Sequence, residues 1–287
     1  MPLAIAAVAL FLRFHLLDQA PRGLLQDEAF NGLDILGILD GARPVFLVGN
    51  FGREALVFYL QALSVALLGQ TDLALHLVAA AVGSLTVLVS YLLVRCMFGP
   101  RVALVACALL ALSLWHVISS RIGLRAISLP ALTAATFYCL WRGLWIAWTQ
   151  PIQELAPRMV KLSRSEIAWF GLSGVCLGLS LYTYTSARFL PLVFLSLAAY
   201  LAAFHRRLLI KAVPGLLIGV LLAAIVFAPE GFFFFHNPDA FVTRASGVSF
   251  LNPSLNGGDP MGAFLRAAVR TLGMFTFAGD LRWDRNI

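Results

Sequence analysis

The chain has 287 residues, of which 60% are hydrophobic and only 12% charged, with a mean hydropathy of +0.87. A soluble domain carries about twice that charge density, so a helical protein crossing a membrane several times is expected; the apolar runs are continuous rather than alternating, which excludes a β-barrel. The formal net charge is +7, but no basic run is long enough for a nucleic-acid surface, and the excess reads as orientation by the positive-inside rule.

In chain order, residues 2–17 form the first apolar helix. It lacks a basic n-region and a small-residue cleavage site, so it reads as a retained membrane helix rather than a signal peptide. The stretch 18–54 follows and holds six of the fourteen acidic residues, including the adjacent pair Asp27-Glu28. A helix through it places Asp27, Asn31 and Asp34 on one face at i, i+4 and i+7, beside an apolar face of Phe30, Leu33 and Leu36. Such a helix suits a bilayer surface, with its carboxylates at the water boundary.

Apolar segments follow at 55–69, 73–94, 102–118, 128–148, 167–184, 188–204 and 212–229. Gly171, Gly174 and Gly178 predict close helix packing rather than ligand binding. The basic breaks at 95–101, 149–166 and 205–211 belong on the cytoplasmic side. The loops 18–54, 119–127 and 185–187 and the tail from Glu230 then fall outside. This leaves a parity conflict, because two apolar segments lie between an external residue 54 and an internal residue 95. Segment 55–69 spans roughly 22 Å as a helix, short of the ~30 Å hydrocarbon core, and is expected to be tilted, half-inserted or interfacial. Beyond residue 230 the sequence reads as a long turn-rich external loop (230–270), with an amphipathic stretch at 261–278 that carries Arg266 and Arg270.

No acid falls in the middle of an apolar segment, which argues against an ion-coupled carrier. The four cysteines form no CxxC and read as packing residues. The histidines form no HxxxH or HExxH, so no metal site is called for, and there is no DxD.

The acidic pair after the first helix, the stretch "GARPVF...GREALVFYLQALSVALLG" and the later "SRIGLRAISLP" and "YTYTSARFLP" resemble GT-C glycosyltransferases. More narrowly they resemble family 39, the protein O-mannosyltransferases and the bacterial transferases of lipid A and related glycans. The resemblance covers nearly the whole chain. It implies an all-α polytopic membrane bundle of GT-C type with amphipathic interfacial helices in the first external loop. Residues 1–287 would then be one membrane-embedded glycosyltransferase domain, cut short at its C-terminus, since family members continue through further membrane helices.

The implied reaction is inverting transfer of a sugar from a polyprenyl-phosphate donor to a protein, lipid or glycan hydroxyl, at the outer face of the cell membrane. No cofactor is called for; the partners are the lipid-linked donor, membrane lipids and the acceptor. The chemistry needs a base for the acceptor hydroxyl and a cation for the departing phosphate. Asp27 or Glu28 fits the first role, and the resemblance points to Asp27; an acid there also reads as a helix N-cap. Arg53 fits the second, with Arg121, Arg188 and Arg244 as further donor-phosphate candidates and Arg125 among the other external arginines. Asn31, Asp34, Tyr182, Tyr184 and His236 are candidate substrate-lining residues. Phe30 stands where the lipid A enzymes carry an arginine, which argues against aminoarabinose as the sugar. The alternatives are a transporter or flippase of a lipid-linked substrate, and a non-catalytic scaffold.

Overall fold

A computed structural model describes residues 3–149 and 162–273. Among these the regular structure is helical apart from one short hairpin. The elements are α1 (Leu3–Phe14), α2 (Gln26–Leu39), β1 (Phe46–Leu47), β2 (Arg53–Glu54), α3 (Leu56–Leu68), α4 (Asp72–Phe98), α5 (Pro100–Leu112), α6 (Leu114–Arg121), α7 (Ser128–Thr149), α8 (Arg164–Leu181), α9 (Leu190–Phe204), α10 (Arg206–His236), α11 (Pro238–Val248), α12 (Pro253–Asn256) and α13 (Pro260–Gly273). The chain divides into two compact units, Met1–Phe233 and Phe234–Ile287.

The expected apolar segments all appear as helices, with two changes of boundary. The segment 102–118 is broken at Ser113, and α5 and α6 meet there at 56°. Arg13 of α1, fully buried, fills the break: it donates to the Ala111 carbonyl at 3.3 Å and to His116 Nδ1 at 2.7 Å. A bent helix leaves main-chain carbonyls without partners, and this arginine supplies a donor to one of them.

The second change is at the last apolar segment. It begins at Arg206, so most of the expected break 205–211 is helix, and it runs on through Pro229 to His236, so the start of the expected turn-rich loop is helix as well. The rest of that loop is also largely helical, as α11 and α12. Proline at the first position of each costs no hydrogen bond, because that N–H has no intrahelical partner. The amphipathic stretch appears as α13; its expected continuation past 273, and residues 150–161 of the basic break, lie outside the described residues.

Three helices among the described residues are long and apolar enough to cross a membrane: α4, α10 and the stretch Thr185–Phe204. The bent pair α5–α6 makes a fourth if taken as one span. Leu192, Leu195, Leu217, Val220 and Ile225 are all more than half exposed. Apolar side chains presented outward on consecutive turns are a surface for lipid rather than water.

Inside the first unit, Leu140, Leu144, Phe170, Leu201 and Ala212 form a core joining α7 to α10. A Cβ on Gly174 would strike the backbone of Gly219, and one on Gly178 would meet Val226 and Ala223. The glycines of α8 therefore serve close packing against α10, as their spacing predicts.

The helices define two ends. The 27 residues of α4 carry the chain about 40 Å, from Asp72 at one end to Phe98 at the other. At the Asp72 end α1, α6 and α8 finish and α7 and α9 begin. The acidic stretch 18–54 folds over this end, which is called the mouth below.

Segment 55–69 does not run between the two ends. The Leu56 N–H donates to the Tyr182 carbonyl at 3.2 Å. Gln61 Nε2 donates to the Gly123 carbonyl at 2.9 Å, and Ser64 Oγ to the Ala74 carbonyl at 2.6 Å. All three acceptors belong to the mouth, so α3 lies across it. The parity conflict disappears: residues 54 and 72 are on one side, and α4 alone carries the chain to the other.

Cysteine labelling in a background without the native thiols tests this. Arg22→Cys and Gln70→Cys should label from the same side, and Arg101→Cys from the opposite one. Labelling of positions 22 and 70 from opposite sides would make α3 a crossing helix.

Candidate active site at the mouth

The site is built around β2. Neighbouring residues on a strand project to opposite faces, and here they are Arg53 and Glu54, both buried. Each charge therefore needs its own partners on its own side.

Arg53 faces α2. Its Nη1 donates to Asn31 Oδ1 at 2.7 Å, its Nε to the Gly49 carbonyl at 3.3 Å, and its Nη2 pairs with Asp34. The guanidinium also lies over the Phe58 ring, 5.3 Å from its centroid. The polar face of α2 read from the sequence, Asn31 and Asp34, is thus the surface that holds Arg53. With its side chain 4% exposed and all three nitrogens engaged, Arg53 ties the hairpin to α2.

Glu54 faces the other way. Its Oε2 accepts from Arg125 Nε at 3.0 Å. Its Oε1 accepts from Thr185 Oγ1 at 3.0 Å and from Arg188 Nη2 at 3.5 Å. One carboxylate thereby gathers two arginines from separate loops, 122–127 and 182–189. The Arg125 guanidinium also sits over the Tyr184 ring at 5.2 Å.

The acidic pair divides. Glu28 is fully buried. Its Oε1 accepts from the Gly123 N–H at 2.5 Å and from His76 Nε2 at 3.0 Å, and its Oε2 accepts from the Leu25 N–H at 2.8 Å. Gly123 is closely surrounded, since a Cβ there would meet Glu28 and Gln61 at 3.0 and 3.1 Å. Glu28 therefore caps α2 and bolts its first turn to α4 and the 122–124 loop.

Asp27, one residue earlier, is exposed at the N-terminal end of α2. Its one side-chain hydrogen bond among the described residues comes from Asn50 Nδ2 at 3.4 Å. Asn50 and Phe51 at the hairpin tip have φ of 48° and 62°. Asparagine tolerates that region; phenylalanine adopts it only under constraint. The tip is held so that the Asn50 amide reaches Asp27.

Of the other expected site residues, Arg121 donates to the carbonyls of Leu12, Leu16 and Ala20 at 3.0, 3.2 and 2.6 Å. It holds the end of α1 and the turn beyond it, a natural place for a cation at a helix C-terminus. Tyr182 donates to the Val226 carbonyl at 2.9 Å and accepts from the Glu230 N–H at 3.3 Å, joining α8 to α10. Arg188, its side chain 17% exposed, stands with Glu54. His236 belongs to the second unit, against Phe235. The side chain of Arg244 lies outside the described residues.

Sequence reading missed Glu54 and Glu230. Glu54 was hidden by Arg53, whose charge drew attention to the same dipeptide. Glu230 stood one residue past the expected end of an apolar segment. Among the described residues, no group of three or more His, Cys, Asp or Glu is arranged to hold a metal ion.

Residues 55–148 match the family model for dolichyl-phosphate-mannose-protein mannosyltransferase. No curated protein matches the chain. The apo oligosaccharyltransferase of Archaeoglobus fulgidus superposes with a TM-score of 0.61 at 17% identity, covering 99% of this chain and 38% of that one. ArnT of Cupriavidus metallidurans in the apo state superposes at 0.62 and 16% identity, covering 96% and 49%. ArnT bound to undecaprenyl phosphate gives 0.57 at 18%, covering 99% and 50%. The chain thus spans half or less of the length of these solved structures. What the chain shares with these structures is the fold, an all-α membrane bundle as expected, and the family model covers about a third of it.

Unfolding measurements on purified variants separate the two kinds of residue at the mouth. Arg53→Ala leaves buried Asn31 and half-buried Asp34 without their partner and should cost about 1–3 kcal/mol. Asp27→Ala should cost about 1 kcal/mol or less, the scale of an exposed charge near a helix terminus. A stable Arg53→Ala protein would remove the structural role assigned to this side chain.

Proposed function

We propose that the chain is the catalytic part of a membrane glycosyltransferase that moves a sugar from a polyprenyl-phosphate donor to a hydroxyl group, with inversion, at the outer face of the cell membrane. The observation that carries this reading is the contrast within the acidic pair. Glu28 is consumed by the fold, while Asp27 stands exposed at the same end of the bundle as the Glu54–Arg125–Arg188 cluster.

Asp27 is the base. Its carboxylate accepts the proton of the acceptor hydroxyl as that oxygen forms its bond to the anomeric carbon. The bond from that carbon to the phosphate oxygen breaks on the opposite side, and the electron pair leaves with the lipid phosphate. Asn50 orients Asp27 through one oxygen and leaves the other for the acceptor.

Negative charge builds on the departing phosphate, so a fixed cation there lowers the barrier more than it tightens ground-state binding. Arg188 takes this role. Its side chain is 17% exposed and is set beside the Glu54 carboxylate, while Arg53 holds α2 and Arg121 holds α1. The family match and the undecaprenyl phosphate of the ArnT structure support a lipid-phosphate donor. The acidic mouth and the basic breaks at the far end support an external site under the positive-inside rule.

Sugar transfer from polyprenyl-phosphate donors into membranes containing the full-length protein tests the proposal. Asp27→Asn should lower turnover about 10²–10⁴-fold with donor binding retained. Arg188→Ala should reduce both turnover and affinity for the lipid phosphate, and Arg188→Lys should recover them only in part, because lysine lacks the planar fork. Normal turnover in Asp27→Asn would remove the base from this scheme.

A further inference from the structure

Among the described residues near the mouth, Glu230 is a buried carboxyl group that neither the fold nor the scheme above accounts for. It sits in the apolar run "VFAPEGFFFF" of α10 and is 1% exposed. Both carboxylate oxygens are buried without a hydrogen-bond partner among the described residues. Its backbone N–H meets the Tyr182 hydroxyl, and its charge lies within electrostatic reach of Glu54 and Arg188.

A buried carboxylate with no donor is costly, and an apolar residue of similar size would pack there at less expense. Carboxylates that only brace a fold do not look like this. Glu28 and Glu54, in the same end of the same bundle, each bind three groups. Two acceptor oxygens kept open beside Arg188 fit a ligand that brings its own donors.

We infer that Glu230 is a specificity residue of the donor subsite, whose carboxylate accepts hydrogen bonds from hydroxyl groups of the transferred sugar. The inference rests on the polyprenyl-phosphate reading above. If Arg188 holds the phosphate, the sugar attached to it lies in the same neighbourhood. Adjacent sugar hydroxyls match the two oxygens of one carboxylate.

The test compares two ligands on the full-length protein in lipid nanodiscs: undecaprenyl phosphate, which has no sugar, and undecaprenyl-phosphate-mannose. Glu230→Ala should weaken binding of the sugar-bearing lipid about 10–100-fold, the scale of lost hydrogen bonds to a charged group, and leave undecaprenyl phosphate within about 3-fold. Glu230→Gln keeps the shape and one acceptor oxygen and should fall between; it decides the matter if the alanine variant does not fold. Equal weakening for both ligands, or for neither, would overturn the assignment of Glu230 while the wild-type protein still binds both. Failure of the wild-type protein to bind either lipid would sink the donor reading itself, and this inference with it.

Discussion

Two opposite charges on consecutive residues of one short strand set the arrangement of the mouth. Arg53 and Glu54 cannot serve each other, because the strand sends them to opposite faces. Each is buried in a membrane protein, where an unpaired charge costs several kcal/mol. The hairpin is therefore fixed from both sides: α2 has to present Asn31 and Asp34 to the arginine, and the two later loops have to bring Arg125 and Arg188 to the glutamate. Helix α2, which carries Asp27, and the loop that carries Arg188 are then joined through two residues of main chain, which gives this end a frame made of charge pairs.

The rest of the mouth follows the same logic at lower energy. The Glu28 carboxylate ties the start of α2 to His76 and to the Gly123 N–H, and Gln61 ties α3 to the Gly123 carbonyl. One tightly enclosed glycine thus donates to one element and accepts from another. Because α3 is held at its beginning, middle and end by mouth residues, it closes the mouth instead of lengthening the bundle. Away from this end the interactions change character. Glycine-mediated contact between α8 and α10 and apolar clusters hold the helices, and outward leucines and valines meet lipid. Arg13 at the α5–α6 break is a polar exception, and it too answers unpaired main-chain carbonyls.

The expectations that failed share a cause. The turn-rich loop beyond residue 230 contains proline, asparagine and glycine at spacings that read as turns, yet the prolines open helices. Pro229 does not end α10 either, although as an interior proline it removes one backbone hydrogen bond. Local residue preferences fix what a segment tolerates, and a proline is as acceptable in the first turn of a helix as in a turn. Neighbouring segments choose between the two.

Composition and hydropathy determined by themselves that this is an all-helical membrane protein, and where most of its helices lie. Those properties follow from the absence of water in the bilayer core, which forces every apolar run to bond its own backbone. The acidic pair, the polar stripe of α2, the glycine packing face and the shortness of segment 55–69 were legible for the same reason, being local in sequence. Which member of the pair stays exposed was not. Asp27 and Glu28 differ by one methylene and one position, and only the approach of His76 and Gly123, 48 and 95 residues away, engages Glu28 and leaves Asp27 exposed. The same holds for the arginines: Arg53, Arg121 and Arg188 look alike in the sequence, and a charge is buried as a brace or left partly exposed according to the partners that distant segments bring to it.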